Sequence, residues 1–247
     1  MSGHSKWHNI KLRKGKADAQ RGALFTKLSK EIILAAKNGS PDPDANYRLK
    51  MAVDKARANN MPVDNIKRAI ARASGSGAER EIEEIRYEGY GPAGVAVIVD
   101  AATDTRNRTA SELRFLFSRN DGTLGETGSV SWMFAARGIV EVDPGPLSED
   151  ELTERALVDG VIDVRFGEPA EIVTEPQALM AVKDALERDG VRVRSAELAM
   201  EATQLTQPGE ADTPRVLVFL DALEEHEDVQ RVYSNADFDE AQLEAFV

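Results

Sequence analysis

The stretch Val161-Ile-Asp-Val-Arg-Phe166-Gly-Glu-Pro-Ala170-Glu-Ile-Val-Thr174 specifies the local fold in the second half of the chain. It holds two short runs rich in β-branched residues, Val161–Phe166 and Ala170–Thr174, with Gly and Pro between them. Such runs with a turn signal between them are typical of two neighbouring strands. The stretch is therefore predicted to form two successive strands.

Helical patterns flank this pair on both sides. An amphipathic segment from Ser148 to Val158 precedes it, with Ser148 as the expected cap, and another from Pro176 to Arg188 follows it. Further strand-type runs lie outside the helices, Ile139–Val142 before them and Val191–Met200 after them. The resulting order, β-α-β-β-α-β, is that of the ferredoxin-like fold. Residues 138–202 are therefore predicted to form such a unit.

The segment before this unit is predicted to be an incomplete α/β domain. It carries a hairpin, Ile82–Tyr87 and Val95–Val99 joined by Gly89-Tyr-Gly-Pro-Ala-Gly94, then a helix from Arg106 to Arg119. A glycine-rich loop, Gly122 to Gly128, and a strand, Ser129–Phe134, follow. Without a Gly-Lys-Ser/Thr sequence, the loop is better interpreted as a tight connection than as a nucleotide cradle.

The missing elements of that domain lie beyond residue 202. Thr213 to Glu225 has a helical pattern, although Val216–Leu220 is equally compatible with a strand, and Val229–Tyr233 is predicted to be a strand. These elements complete the earlier segment, so the 138–202 unit is predicted to be inserted into a second α+β domain. Phe238 to Val247 is predicted to be a short helix or a frayed tail.

Three short helices are predicted before residue 78. The first runs from Ala17 to Lys37, the second is capped by Asp42 or Asp44 and ends at Asn59-Asn60, and the third begins near Met61-Pro62. Gly75-Ser-Gly77 is interpreted as a linker. The expected domains are 1–78 (basic arm and helical domain), 79–135 plus 207–247 (discontinuous α/β domain) and 136–206 (inserted ferredoxin-like domain).

The sign of the net charge changes at that linker. The net charge is −12. Residues 1–78 contain sixteen Lys and Arg against six Asp and Glu, whereas residues 79–247 contain fifteen against thirty-seven. A basic head favours a polyanionic partner, and an acidic body would be repelled by it. The alternative is an unevenly charged, solvated surface.

The first sixteen residues contain five basic side chains, two histidines and a tryptophan, and no acid. Lys and Arg displace the counterions of a phosphate backbone, and aromatic rings stack on bases. A solvated tail without a partner remains the alternative. The residues predicted to bind nucleic acid are Lys6, Trp7, His8, Lys11, Arg13, Lys14, Lys16, Lys27, Lys30, Lys37, Lys67, Arg68 and Arg72.

Arg106 and Arg108 lie at the start of a predicted helix, where cations oppose the helix dipole. One explanation is a secondary anion site made by the free N–H groups and both guanidinium groups. The other is that these arginines pair with nearby acids.

The sequence predicts no catalytic site, resident metal or cofactor. There is no Cys, which excludes disulfides and thiolate chemistry and favours a reducing cytoplasm. His4 and His8 have the spacing of two ligands on a helix, but a third ligand is not evident. No run is apolar enough to span a membrane. We therefore expect a cytoplasmic protein that is not an enzyme, has no small-molecule substrate and does not associate with membranes.

Five motifs in order resemble the YebC/PmpR family, bacterial relatives of a mitochondrial translational activator of cytochrome oxidase. They are Gly3-His-Ser-Lys-Trp7, Arg21-Gly-Ala-Leu-Phe-Thr-Lys-Leu28, Met61-Pro-x-x-Asn-Ile66, Tyr87-Glu-Gly-Tyr-Gly-Pro92 and Leu124-Gly-x-x-Gly-Ser-Val130. The resemblance implies an α+β multidomain protein, with an N-terminal three-helix bundle followed by two ferredoxin-like α/β domains, one inserted in the other. Asp121 stands where the family has the first Gly of a Gly-Gly pair.

The resemblance also implies regulation of gene expression. Family members are commonly labelled DNA-binding transcriptional regulators, and we expect such a nucleic-acid-binding regulator here. The alternative is a ribosome-associated translation factor that binds ribosomal or transfer RNA through the basic arm and eases stalled synthesis at proline-rich stretches. An arm without a recognition helix fits backbone and shape recognition better than base readout.

Overall fold

The structure is a computed structural model that describes residues 19–73, 75, 81–238 and 243. The chain divides into two compact units. Residues 134–203 form the inserted unit, and the residues on either side of it form the main unit. In chain order the described elements are α1 (Ala19–Lys37), α2 (Tyr47–Ala58), α3 (Val63–Ala73), β1 (Glu83–Tyr90), β2 (Ala96–Thr103), α4 (Arg106–Arg119), β3 (Thr123–Leu124), β4 (Phe134–Asp143), α5 (Glu149–Arg155), β5 (Val161–Arg165), β6 (Ala170–Thr174), α6 (Leu179–Arg188), β7 (Arg192–Ala202), α7 (Thr213–Glu225) and β8 (Val229–Ser234).

Helices α1, α2 and α3 pack around one apolar core, as the spacing of their apolar residues predicts. Leu28 and Ile32 of α1, Leu49 of α2 and Ile66 of α3 belong to this core and are almost completely buried. Ala102 of β2 belongs to the same core, so the helices also pack on the sheet of the main unit. This packing explains why β2 is apolar along nearly its whole length, since both of its faces are covered.

The start of α2 differs from the prediction. Asn46, and not Asp42 or Asp44, is the cap, and its side-chain oxygen accepts a 3.1 Å hydrogen bond from the N–H of Leu49. Its amide group also donates to the carbonyls of Ala35 (2.8 Å) and Ser40 (2.7 Å). A carboxylate cannot donate, so only the amide can cap α2 and hold the end of α1 at the same time.

The sheet of the main unit has the strand order β3-β1-β2-β8, and its described pairs are antiparallel. Strand β2, helix α4 and strand β3 take the first three places of the ferredoxin-like order, β-α-β-β-α-β. The fourth place, a strand, is taken by β1, although β1 comes before β2 in the chain. Helix α7 and strand β8 take the last two places. The chain therefore forms this fold in a permuted sequence, with β1 placed first. The rings of Phe117 in α4 and Phe219 in α7 pack edge to face, with their centroids 4.9 Å apart, and so join the two helices.

The inserted unit has the strand order β5-β6-β4-β7, all antiparallel, with α5 and α6 as its helices. This is the ferredoxin-like order that the sequence predicts. Its core includes Val140, Leu152, Ile172, Val182 and Leu186, all fully buried. Ser148 caps α5 in a capping box with Glu151, as expected for Ser three residues before Glu.

Two local predictions are changed or resolved. The strand predicted at Ser129–Phe134 is a 3-10 turn at Ser131–Met133, and β4 begins only at Phe134. The N–H groups of Val130 and Ser131 bind a side chain instead of a neighbouring strand, so no ladder forms there. The ambiguous run Val216–Leu220 is helical, because Pro214 lies in the first turn and buried residues recur at helical spacing up to Leu223.

Candidate nucleic-acid interface

The residues of the predicted arm lie outside the described residues, and so does His4. They are Lys6, Trp7, His8, Lys11, Arg13, Lys14 and Lys16. The remaining predicted cations belong to α1, α3 and α4, where their surroundings are defined.

Three lysines of α1 contact the α/β part of the main unit. Lys27 donates to the carbonyl of Glu224, and Lys30 donates to the carboxylate of Asp228 and, at 3.1 Å, to the carbonyl of Glu227. Lys37 pairs with Glu81 at 2.6 Å and donates to the carbonyl of Ile82 at 3.3 Å. Their ammonium groups hold the helices on the sheet, so these charges are already partly neutralised within the chain.

Asp228 is the centre of this contact. Its side chain is 0% exposed and accepts hydrogen bonds from Lys30, from Thr109 at 2.7 Å and from Arg108 at 2.8 Å. Burial alone would raise its pKa, but these donors more than offset burial and lower the pKa to about 2. Asp228 is therefore ionised at neutral pH and links α1, α4 and the start of β8.

Glu112, His226 and Asp228 are the one group in the described part of the chain with the composition and spacing of a metal site, their ligand atoms lying within 4.8 Å. The Asp228 carboxylate already receives the donors described above. The Nδ1 atom of His226 accepts from the N–H of Asp228 at 3.1 Å, so its Nε2 carries the proton and lies 3.0 Å from Glu112. The arrangement is explained as a hydrogen-bonded ion-pair network.

Arg106 and Arg108 both meet carboxylates. Arg108 binds Asp228 and lies 3.6 Å from Asp104, and Arg106 lies 3.8 Å from Glu83. Of the two explanations that the sequence leaves open, these contacts favour pairing with acids over a secondary anion site.

The outer sides of α2 and α3 carry cations that have fewer internal partners. Lys67 and Arg68 are exposed, and Arg68 donates hydrogen bonds to the Asn65 side chain and to the carbonyl of Asp64. Arg72 is half-buried and nearer the helix end. Lys50 of α2 is also exposed; we did not single it out from the sequence, although its position on the polar side of α2 was a usable signal.

The other basic residues of α2 are paired. Arg48 binds Glu84, Lys55 lies 3.1 Å from Glu31, and Arg57 lies 3.5 Å from Asp54. Lys50, Lys67 and Arg68 therefore form the set of described cations in the helical part that are exposed and have no ion pair there. We call these three residues the helical cations.

The glycine-rich loop before β4 is filled by a side chain of the protein itself. The carboxylate of Glu88, on β1, accepts hydrogen bonds from the N–H groups of Gly128 (2.9 Å), Val130 (2.9 Å) and Ser131 (2.8 Å). Burial opposes its ionisation, but the three donors lower its pKa below the ordinary value. Since Glu88 occupies the place that a phosphate would take, the loop is a tight connection, as predicted, and not a nucleotide cradle.

Glycine is required where this loop crosses β1. A Cβ on Gly89 would lie 2.5 Å from the carbonyl oxygen of Thr123, and one on Gly122 would lie 2.6 Å from that of Tyr90. Tyr90 also donates its hydroxyl to the carbonyl of Ser129 at 3.2 Å. These contacts bring the two motifs that begin at Tyr87 and Leu124 into one packed structure.

Comparison with known proteins covers nearly the whole chain. Residues 5–76 match the TACO1/YebC protein N-terminal domain, and residues 82–236 match the TACO1/YebC second and third domain. The chain belongs to the TACO1/YebC family. Within the described residues, this family member has no helix that is long and apolar enough to cross a membrane.

Curated relatives of this TACO1/YebC chain are named as probable transcriptional regulatory proteins. One from Herpetosiphon aurantiacus is 47% identical over 100% of this chain and 98% of its own length. One from Rubrobacter xylanophilus is 49% identical over 97% of both. A solved structure, a conserved hypothetical protein Aq1575 from Aquifex aeolicus, has a TM-score of 0.82 and 44% identity and covers 91% of this chain and 93% of its own.

Proposed function

We propose that this TACO1/YebC protein is a non-enzymatic regulator of gene expression in the cytoplasm that binds nucleic acid through its N-terminal arm and the helical cations. The observation that carries the proposal is the separation of charge: sixteen basic residues against six acids before residue 79, and the reverse excess after it. The naming of relatives as probable transcriptional regulatory proteins supports the same class. For a transcriptional regulator, duplex DNA is the first candidate ligand.

The structure refines which residues are proposed to take part. Lys27, Lys30 and Lys37 are assigned to holding α1 on the α/β part of the main unit, because their ammonium groups already contact oxygens there. Lys50, Lys67 and Arg68 lack such pairing in the described residues and can exchange bound counterions for phosphates without breaking an internal ion pair. Lys6, Lys11, Arg13, Lys14 and Lys16, with Trp7 and His8, complete the proposed surface.

A second candidate is a translation factor that associates with the ribosome. The acidic excess after residue 78, thirty-seven acids against fifteen bases, favours it, because that surface would repel a long duplex but would attract a basic protein. A ribosome offers both RNA for the basic residues and basic proteins for the acidic ones.

The deciding experiment combines two binding measurements at near-physiological salt. One is co-sedimentation of the purified protein with ribosomes, and the other is a titration of random duplex DNA at equal phosphate concentration. Duplex binding without ribosome association would support transcriptional regulation. Ribosome association that persists while duplex binding is lost would support translation, and failure of both would contradict nucleic-acid binding itself.

A charge variant tests where the binding occurs. Replacing Lys11, Arg13, Lys14 and Lys16 together by Gln should lower the slope of log affinity against log salt by about 3 to 4 units on duplex DNA if all four contact phosphates. The matched control replaces four exposed arginines of the inserted unit, Arg155, Arg188, Arg192 and Arg194, by Gln and changes the net charge equally. An equal loss of slope in both variants would mean that only the total charge matters.

A further inference from the structure

Helix α4 exposes an aromatic ring at the middle of its outer side. Phe115 is 62% exposed, whereas Leu113 and Phe117, on the opposite side of the same helix, are fully buried. A single exposed apolar residue is common on protein surfaces and would not by itself indicate a site. The surroundings of Phe115 supply the second observation.

Two arginines without internal partners flank Phe115. Arg114 and Arg119 are exposed, and within the described residues neither makes a hydrogen bond or an ion pair. Other arginines of the main unit do: Arg86 with Asp100, Arg108 with Asp228 and Arg215 with Asp121. Two unpaired cations in a part of the chain that has more than twice as many acids as bases need an explanation.

The outer face of α4 has a composition that differs from the acidic segment around it. Besides Arg106 and Arg108, its exposed residues are Asn107, Ser111, Arg114, Phe115, Ser118 and Arg119, and Glu112 is its one carboxylate. Glu112 lies three residues before Phe115, but its carboxylate already has internal partners, with His226 at 3.0 Å and Arg108 at 3.9 Å. The face thus combines an exposed ring with unpaired guanidinium groups, which is the composition of a stacking platform for a nucleic-acid strand.

We propose that this face of α4 binds an unpaired stretch of RNA, with Phe115 stacked on a base and Arg114 and Arg119 bound to the flanking phosphates. Phe115 and Arg119 are four residues apart and so share one side of the helix. Arg114 and Arg119 are separated by roughly 7.5 Å along the helix axis, which spans the neighbourhood of one nucleotide. The proposal rests on the proposed nucleic-acid-binding function.

RNA is favoured over duplex DNA for a geometric reason. A ring on the convex surface of a helix can stack only on a base that has left its own stack. Loops and bulges of folded RNA offer such bases, whereas a duplex does not.

The position of α4 in the main unit supports the assignment. Arg108, near the start of α4, and Lys30 of α1 bind the same carboxylate, that of Asp228. The helical part and α4 are therefore fixed to each other at this point. The face proposed to bind RNA and the helical part therefore belong to one packed structure.

The test measures fluorescence anisotropy of a labelled twelve-nucleotide oligouridylate and of a twelve-base-pair DNA duplex with the full-length protein. Phe115→Ala should weaken binding of the oligouridylate roughly 5- to 100-fold, and Phe115→Trp should restore it. Replacing Arg114 and Arg119 by Gln should lower the salt slope on the oligouridylate by about 1.4 units. Duplex affinity should change less than twofold in all three variants.

Val218→Ala is the matched control, since Val218 is an exposed apolar residue of α7 and should leave both affinities unchanged. Thermal unfolding followed by circular dichroism verifies that each variant is folded. An unchanged oligouridylate affinity in Phe115→Ala would overturn the proposal while leaving duplex or ribosome binding by the N-terminal part intact. Wild-type protein that binds neither probe nor ribosomes would overturn both proposals.

Loss of ribosome association without loss of oligouridylate affinity would assign this face to a protein contact and would also overturn the RNA proposal.

Discussion

Asp228 shows how a single buried carboxylate can determine the position of two other elements. Its carboxylate accepts hydrogen bonds from Lys30 of α1 and Arg108 of α4. Its backbone carbonyl accepts a 2.7 Å hydrogen bond from the N–H of Ala102. Such a cluster is favourable only while every charge keeps its partner, because an unpaired buried charge is costly. The lysines of α1 are therefore parts of a packed contact.

At the residue scale, Asp228→Asn should lower the free energy of unfolding by about 3 kcal/mol, because Lys30 and Arg108 would lose a buried counter-charge. Urea unfolding followed by circular dichroism measures the change. Asp54→Asn is the control, since its 3.5 Å pair with Arg57 is exposed and should contribute less than about 0.5 kcal/mol. Equal effects of the two substitutions would contradict the role given to Asp228.

The ionisation of Asp228 makes the free energy of unfolding depend on pH. Its pKa is lowered from 3.8 to about 2 in the folded protein, so its stabilising effect is fully present above about pH 4 and is lost as the pH falls through about 2. The difference in unfolding free energy between wild type and Asp228→Asn should therefore shrink by about 2 to 3 kcal/mol over that range. Urea titrations at several pH values measure it, and a difference independent of pH would exclude this carboxylate as the cause.

Residue types in the sequence indicate which side chains can bind phosphate but not which ones are free to do so. Lys30 and Lys67 are both helical lysines, yet only Lys30 meets a buried acid, and that acid is 198 positions away in the chain. Periodicity along a helix does not carry information about a partner so distant. Arg114, Arg119 and Phe115 were missed for the related reason that exposure depends on how α4 packs.

At the scale of elements, the loop between β3 and β4 is organised by β1. Glu88 supplies an anion for three loop N–H groups, and Gly89 allows the close crossing. Asp121, which stands where a Gly was expected, has φ of +57°, so the turn keeps the left-handed conformation. Asp tolerates this region better than most residues, and Asp121 also pairs with Arg215.

Glu88→Gln should lower the unfolding free energy by about 2 to 3 kcal/mol, because the amide group would face N–H donors that the carboxylate now accepts. Trp132 reports the loop, since its indole N–H donates to the carbonyl of Ser129 at 3.1 Å. In a Trp7→Phe background, which leaves Trp132 as the single tryptophan, the near-UV circular dichroism should weaken. Glu84→Gln, at the exposed pair with Arg48, should change neither quantity appreciably.

Elements that a local sequence pattern specifies could be predicted, and those that depend on tertiary contacts could not. The helix at Arg106–Arg119 and the strand at Ala170–Thr174 have the predicted bounds. The start of α2 and the turn at Ser131–Met133 depend on Asn46 and Glu88, whose hydrogen bonds reach across elements. Capping and strand rules consider only neighbours in sequence, so they do not include these bonds.

At the scale of the whole molecule, the permuted order of the elements in the main unit could not be predicted, because its shortest strand gives no sequence signal. Strand β3 has two residues, Thr123 and Leu124, which is too short for any alternating pattern. The inserted unit, with strands of five to eleven residues, was recognisable from its order alone. We therefore propose that residues 134–203 fold as an independent domain whose two ends lie close together.

The ends of the insertion provide the geometric support. Phe134, at the start of β4, pairs with Ala202, near the end of β7. In the main unit, the side-chain amide nitrogen of Asn235 donates to the carbonyl of Gln204 at 3.1 Å and lies 3.8 Å from the sulfur of Met133. The two main-unit residues that flank the insertion, Met133 and Gln204, therefore both contact Asn235. Asn235 is itself held by two hydrogen bonds to the backbone of Ala96. Domains whose ends are close can be removed or inserted with little disturbance.

Replacing residues 134–203 by a four-residue Gly-Ser linker should therefore leave a main unit that unfolds in one cooperative transition. The chain only has to close a short gap, and shortening the connection slightly reduces the entropy cost of loop closure. Near-UV circular dichroism and thermal unfolding measure the outcome, and Asn235→Ala in the shortened protein is the matched variant that should lower its melting temperature by removing the group that holds both ends. A shortened chain that binds a hydrophobic dye and lacks a near-UV signal would show instead that the main unit depends on the insertion for its packing.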